Sequence, residues 1–148
     1  IIAHSYGCLL SSLLASEYKN VQSMIALSSP WAGSRAAKWL HMVFRESGLF
    51  QYTKPGSNLL DAVSKLKLDF PISNIVSTGT KSSANALAGL GSTPNDGLLT
   101  LETQRAVPTG FTNCETTEVE VSHNELLMSM EIVELIRDKI FNETEQNA

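Results

Sequence analysis

The 148-residue chain is 43% hydrophobic and 18% charged, the balance of a globular domain large enough for one core. A net charge of −4 and a pI near 5.3 argue against a nucleic-acid surface, and no apolar run approaches the ~18–20 residues that span a membrane. The two cysteines, Cys8 and Cys114, stand at no metal-ligand spacing. A disulfide framework is not expected, and Cys8 reads as a buried thiol.

In chain order, Ile1 to His4 is apolar and β-prone, and Cys8 to Tyr18 reads as helix. Between them lies Ala3-His4-Ser5-Tyr6-Gly7, a small-x-Ser-x-Gly run at a strand-to-helix break. Such a turn pushes the serine hydroxyl clear of the backbone, and small neighbours let strand and helix approach. Met24 to Ser28 is a second short apolar run, followed by Ser29-Pro30-Trp31-Ala32-Gly33-Ser34. Apolar runs separated by a helix predict parallel strands buried on both faces. Residues 34–46 carry a helical stripe through Ala36, Trp39, Leu40, Val43 and Phe44, with Gly48 as its end. Tyr52 to Ser57 reads as a loop, and 58–67 as a helix capped by Asn58 or Ser57.

Ile75 to Thr80 is the third expected strand, entered from Pro71 and Ser73-Asn74. A long Ser/Ala/Gly/Asn-rich stretch follows from Lys81 to Asp96, a length usually tied to function. Leu98 to Val107 holds a short helix or strand turn. Glu115 to Ser122 alternates, with Thr117, Val119 and Val121 on one face, as an edge strand does. Residues 124–141 form a final amphipathic helix through Leu127, Met130, Ile132, Val133, Ile136 and Ile140, with a polar tail from Asn142.

A serine hydroxyl needs a base to take its proton, and the base needs a carboxylate to fix its tautomer. Of the three histidines, His4 lies in the turn and reads as a packing residue, and His41 as a surface or lid residue. His123 follows the edge strand, at the end where open α/β sheets build their sites, and is the expected base. Asp96, in Pro94-Asn95-Asp96-Gly97, is the expected acid and at the same time a turn residue. Glu102 is the runner-up, and Asp61 and Asp69 serve only if the acid follows the preceding strand.

The order Ser5, Asp96, His123 is that of α/β-hydrolases, and four segments carry the resemblance. Ala3-His4-Ser5-Tyr6-Gly7 is similar to the Ala/Gly-His-Ser-x-Gly turn of microbial lipases. Ser29 to Ser34 resembles their small-Pro-aromatic/His-x-Gly-Ser segment. Asn95-Asp96-Gly97-Leu98-Leu99 is similar to their acid loop, and Ser122 to Leu127 to their His-x-x-Leu ending. The resemblance implies an α/β fold, the C-terminal half of an α/β-hydrolase with a mostly parallel sheet flanked by helices. It implies a carboxylic-ester hydrolase, lipase or esterase, acting through Ser5, His123 and Asp96 by an acyl-enzyme, without cofactor or metal. The Tyr6 backbone N–H would be one oxyanion donor.

Residues 1–148 are then expected to form a partial domain whose N-terminal strands lie elsewhere, since only three or four residues precede the turn. A missing loop would supply the second oxyanion donor, so the chain on its own is expected to be inactive. No compartment is assigned. The segment 31–71 sits where such hydrolases insert a cap or lid. Its Trp31, Trp39, Leu40, Phe44, Leu49, Phe50 and Tyr52 either pack on the sheet or offer an acyl pocket and an interfacial lipid contact. The partner is a small-molecule or lipid ester. An acyltransferase or thioesterase with the same triad is the enzyme alternative, and a non-catalytic interaction domain the other.

Overall fold

The computed structural model describes residues 1–34, 37, 48–79 and 93–146. The expected helix at 34–46, with His41 and Trp39, and most of the stretch from Lys81 lie outside the described residues, as do the side chains of Leu49 and Phe50. The described elements run β1 (Ile2–His4), α1 (Tyr6–Glu17), β2 (Met24–Leu27), α2 (Gly48–Thr53), α3 (Asn58–Ser64), β3 (Ile72–Ser77), α4 (Leu101–Arg105), β4 (Cys114–Val119), a single 3₁₀ turn (Glu125–Leu127) and α5 (Met130–Gln146). The strands form one sheet in the order β1-β2-β3-β4, every pair parallel. This is a small α/β fold with a topology compatible with an α/β-hydrolase.

Alternation along the strands sorts the core into two faces. Ala3, Met24, Ala26 and Ile72 point to the side covered by α1 and α3, where Leu9, Leu60 and Val63 complete the cluster. Ile25, Leu27, Ile75 and Val119 point to the other side, where Leu126 and Ile132 cover them. All four residues of β2 are buried, as a parallel strand with covered faces requires. Each fully buried aliphatic side chain there contributes roughly 1.5–3 kcal/mol. Ser57 caps α3 by accepting the Leu60 N–H at 3.3 Å. Trp31 is buried edge-on against Phe111, and its indole N–H donates to Asn74 at 3.0 Å, so this aromatic belongs to the core.

Several boundaries differ from the sequence reading. β3 begins at Ile72 rather than Ile75 and ends at Ser77. Ser73-Asn74 looks like a turn, but the Asn74 amide is satisfied inside the sheet by Trp31, the Gln104 carbonyl and Thr116. β4 stops at Val119, and the Ser122 N–H is taken by Glu125 at 2.9 Å instead of by a neighbouring strand. Gly48 opens a short helix instead of ending one, and that helix takes in Tyr52 and Thr53. The C-terminal helix breaks after the 3₁₀ turn, so the stripe that faces the sheet is Ile132, Leu135 and Ile136. Met130, Val133 and Ile140 are exposed instead. No helix among the described residues is long and apolar enough to cross a membrane.

Candidate functional site

All four strands point their C-terminal ends at one polar cluster, the position where open parallel sheets bind ligands. Ser5 follows β1, Ser28 follows β2, Ser77 ends β3 and His123 follows β4. The residue after each of the first two strands keeps its place in the ladder, with Ser5 N–H donating to Leu27 O and Ser28 N–H to Ile75 O, both at 2.8 Å. The chain then turns sharply. Ser5 has φ 53° and Ser28 φ 46°, values that non-glycine residues seldom adopt. Backbone held this way costs on the order of 1–3 kcal/mol per residue and persists only where the surroundings enforce it.

Ser5 precedes the first residue of α1, yet its side chain caps no N–H of the helix. A serine at this position ordinarily does so. Its Oγ lies instead 3.0 Å from Nε2 of His123. The other ring nitrogen, Nδ1, lies 2.8 Å from Oδ2 of Asp96, and both side chains are almost wholly buried. An ionised carboxylate only accepts, so Nδ1 carries the proton and Nε2 offers its lone pair to the Ser5 hydroxyl. The His123 N–H also donates to the Asp96 carbonyl at 2.9 Å, tying the two loops together by backbone as well.

Asp96 is heavily solvated by the protein. Oδ1 accepts the N–H groups of Leu98 and Leu99 at 2.9 and 2.7 Å. Oδ2 accepts Ser77 Oγ at 2.7 Å, Gln104 Nε2 at 3.1 Å and the Ser28 hydroxyl in a very short contact. Burial pushes this carboxyl's pKa up, but the hydrogen bond and charge of His123, the Ser28 hydroxyl and the Leu99 N–H outweigh it, leaving the pKa at about 2. The group therefore stays a carboxylate across the neutral range. Gly97, at φ 99°, and the Asn95 side chain, which accepts the Gly97 N–H at 2.7 Å, make the loop a turn as well. The Asp-Gly turn and the buried carboxylate coexist.

Of the residues singled out in the sequence, the fold thus brings together Ser5, His123 and Asp96, and sets Tyr6 as the first residue of α1. A helix's first N–H groups have no intrahelical acceptor, so the Tyr6 N–H falls in that set. The alternative acids are elsewhere. Glu102 is exposed on α4, Asp69 is exposed, and Asp61 pairs with Lys65 at 2.6 Å on the surface. His4 does pack, but against His123 itself, a contact the sequence reading did not foresee. Cys8 is buried in the first turn of α1, and burial pushes its pKa up to about 12, which leaves it a thiol rather than a nucleophilic thiolate.

Three contributors were invisible in the sequence: Ser28, Ser77 and Gln104. Gln104 grips Ser77 through its backbone, accepting the Ser77 N–H at 2.9 Å and donating to the Ser77 carbonyl at 3.2 Å. A glutamine on a short helix carries no local signal for this role. Ser28 had a weak one, since it ends an apolar run at the sheet's C-terminal edge. The outcome is a buried His–Asp pair with serines on both sides of the imidazole. No protein-family model matches the chain, and no curated protein matches it either.

Proposed function

We propose that the chain is a carboxylic-ester hydrolase of the lipase or esterase type, built on an α/β-hydrolase fold and acting through Ser5, His123 and Asp96. The observation that carries this is the line of contacts from Ser5 Oγ through the imidazole to Asp96, 3.0 and 2.8 Å long. In the first step Ser5 Oγ attacks the ester carbonyl while its proton passes to Nε2 of His123. Asp96 holds the Nδ1 proton and stabilises the imidazolium without taking that proton. The Tyr6 N–H meets the tetrahedral oxyanion. Collapse expels the alcohol, which takes the proton from Nε2, and leaves an acyl-Ser5. Water, deprotonated by the same nitrogen, then releases the acid and frees Ser5.

The segment 31–71 belongs to the same reading as a cap over an acyl chain or a contact with a lipid surface. A fluorophosphonate tests the reading directly. Ser5 Oγ attacks phosphorus, fluoride leaves, the hydroxyl proton goes to Nε2, and a stable Ser5 adduct results. The expected result is one adduct, located at Ser5 by peptide mass spectrometry in the natural full-length protein, together with hydrolysis of p-nitrophenyl butyrate. An unlabelled Ser5 under conditions that label other serine hydrolases would overturn the assignment.

A further inference from the structure

We propose that His4 is a positioning residue for His123, so that the consecutive pair His4-Ser5 fixes the imidazole at two points. The inference rests on the serine-hydrolase reading above and adds to it a residue that never touches substrate. The strand alternation supplies the geometry. His4 pairs with Leu27 and Ile2 with Ile25, which puts His4 on the sheet face covered by Leu126 and Ile132. This is the face over which the His123 loop passes.

His4 Nε2 lies 3.1 Å from the backbone carbonyl oxygen of His123. A carbonyl only accepts, so Nε2 is the protonated nitrogen and donates. The two rings also touch, with centroids 4.7 Å apart and planes tilted by 50°. The His123 backbone is therefore held on both sides, its N–H by the Asp96 carbonyl and its C=O by His4. The neighbouring residue, Ser5, meets the far end of the same side chain at 3.0 Å. One rigid turn thus carries both the attacking oxygen and the group that locates its base. Burial lowers the His4 pKa, and the adjacent His123 lowers it further, which keeps His4 neutral beside the imidazolium formed during reaction.

Three variants of the natural full-length protein, His4→Gln, His4→Phe and Ser5→Ala, separate the roles by stopped-flow phosphonylation. Glutamine keeps an N–H donor for the His123 carbonyl, whereas phenylalanine keeps only a ring. Misplacing a catalytic group by 1 Å costs on the order of 10² in rate, and a loosened His123 should cost His4→Phe about tenfold of that. The expected result is this loss in the maximal phosphonylation rate at unchanged half-saturating probe concentration, with His4→Gln close to wild type. A role in packing alone would not be rescued by glutamine. Wild-type rates in His4→Phe, or equal losses in the two His4 variants, would overturn the inference while leaving Ser5 as the nucleophile. If His4→Phe does not fold, His4→Gln decides by itself, since a tenfold slower rate in that variant contradicts the proposal. Absence of labelling in the wild type, matching Ser5→Ala, would instead remove the serine-hydrolase reading, and the inference with it.

Discussion

Ser5 and Ser28 are the same residue in the same kind of place, and they face the two nitrogens of one imidazole. Both end adjacent parallel strands, both bond the next strand through their N–H, and both have positive φ. Ser5 Oγ lies 3.0 Å from Nε2 of His123, and Ser28 Oγ 2.9 Å from Nδ1. What separates them is the company each keeps. Ser28 is fully buried and gives its proton to Asp96, a carboxylate that has to stay ionised. Ser5 is only partly buried and faces a lone pair. Strain and residue type therefore do not make a nucleophile. The ring nitrogen opposite the serine, and access to solvent, decide it.

The largest expected effect tests that division. Ser5→Ala should cut ester turnover by a factor on the order of 10⁶, as removing the serine does in other triads. Ser28→Ala should cost only about tenfold, equivalent to ~1.4 kcal/mol in the barrier, by loosening Asp96. Steady-state hydrolysis of p-nitrophenyl butyrate by the natural full-length protein reads both. Equal losses would mean that Ser28 takes part in the chemistry and that the two sides of the imidazole are not distinct.

The next effect lies on the Asp96 side. Asp96→Asn should lower kcat by roughly 10⁴, because an amide no longer selects the tautomer with its proton on Nδ1. Combining it with His123→Ala should add little to His123→Ala alone, since members of a triad act as one unit. Additive losses in this cycle would show that Asp96 acts through Ser28 and the fold rather than through His123.

The two sides also differ in how far the sequence reveals them. The Ser5 side is written in local signals: a β-prone run, small residues around a serine, and a helix that starts at once. The four parallel strands and the Ser5, Asp96, His123 order are legible for the same reason, because apolar runs and turn residues act over short distances. The Asp96 side depends on burial. Ser28, Ser77 and Gln104 come from three elements, and only the sheet register brings their side chains to one carboxylate. The β3 boundary was missed for a related cause. Ser73-Asn74 has the composition of a turn, and tertiary hydrogen bonds to Asn74 keep it in the strand. His4 was misjudged because its partner lies 119 residues away.

Acid stability gives a third separation. The Asp96 pKa of about 2 lies below its usual 3.8, a difference that stabilises the folded state by roughly 2 kcal/mol at neutral pH. A depressed carboxyl contributes above its unfolded pKa and loses that contribution as pH falls through the folded value. Stability should therefore decline between about pH 4 and pH 2. Removing the Ser28 hydroxyl takes away one of the interactions that lower the pKa. In Ser28→Ala the folded pKa should rise toward 3.8, so the contribution at neutral pH is smaller and its loss on acidification is complete at higher pH. Ser5→Ala should leave the acid window where it is, because Ser5 does not touch Asp96. Urea melts between pH 2 and 7 would show this, and an acid window that moves equally in both variants would remove the distinction.

The smallest effect comes from glycine, which accepts positive φ without strain. Ser5→Gly should stabilise the fold by about 1 kcal/mol, the lower end of what such backbone strain costs. The Ser5 hydroxyl caps nothing in α1, so little is lost with it. Ser28→Gly gains the same relief, but it removes a hydroxyl bonded to a buried carboxylate, a loss of about 1.5–3 kcal/mol. The net change at Ser28 should therefore be a destabilisation, opposite in sign to that at Ser5. Thermal melts at pH 7 would resolve the two signs. A stabilising Ser28→Gly would mean that Ser77, Gln104 and the loop N–H groups satisfy Asp96 without Ser28, and that its positive φ is strain with no compensating bond.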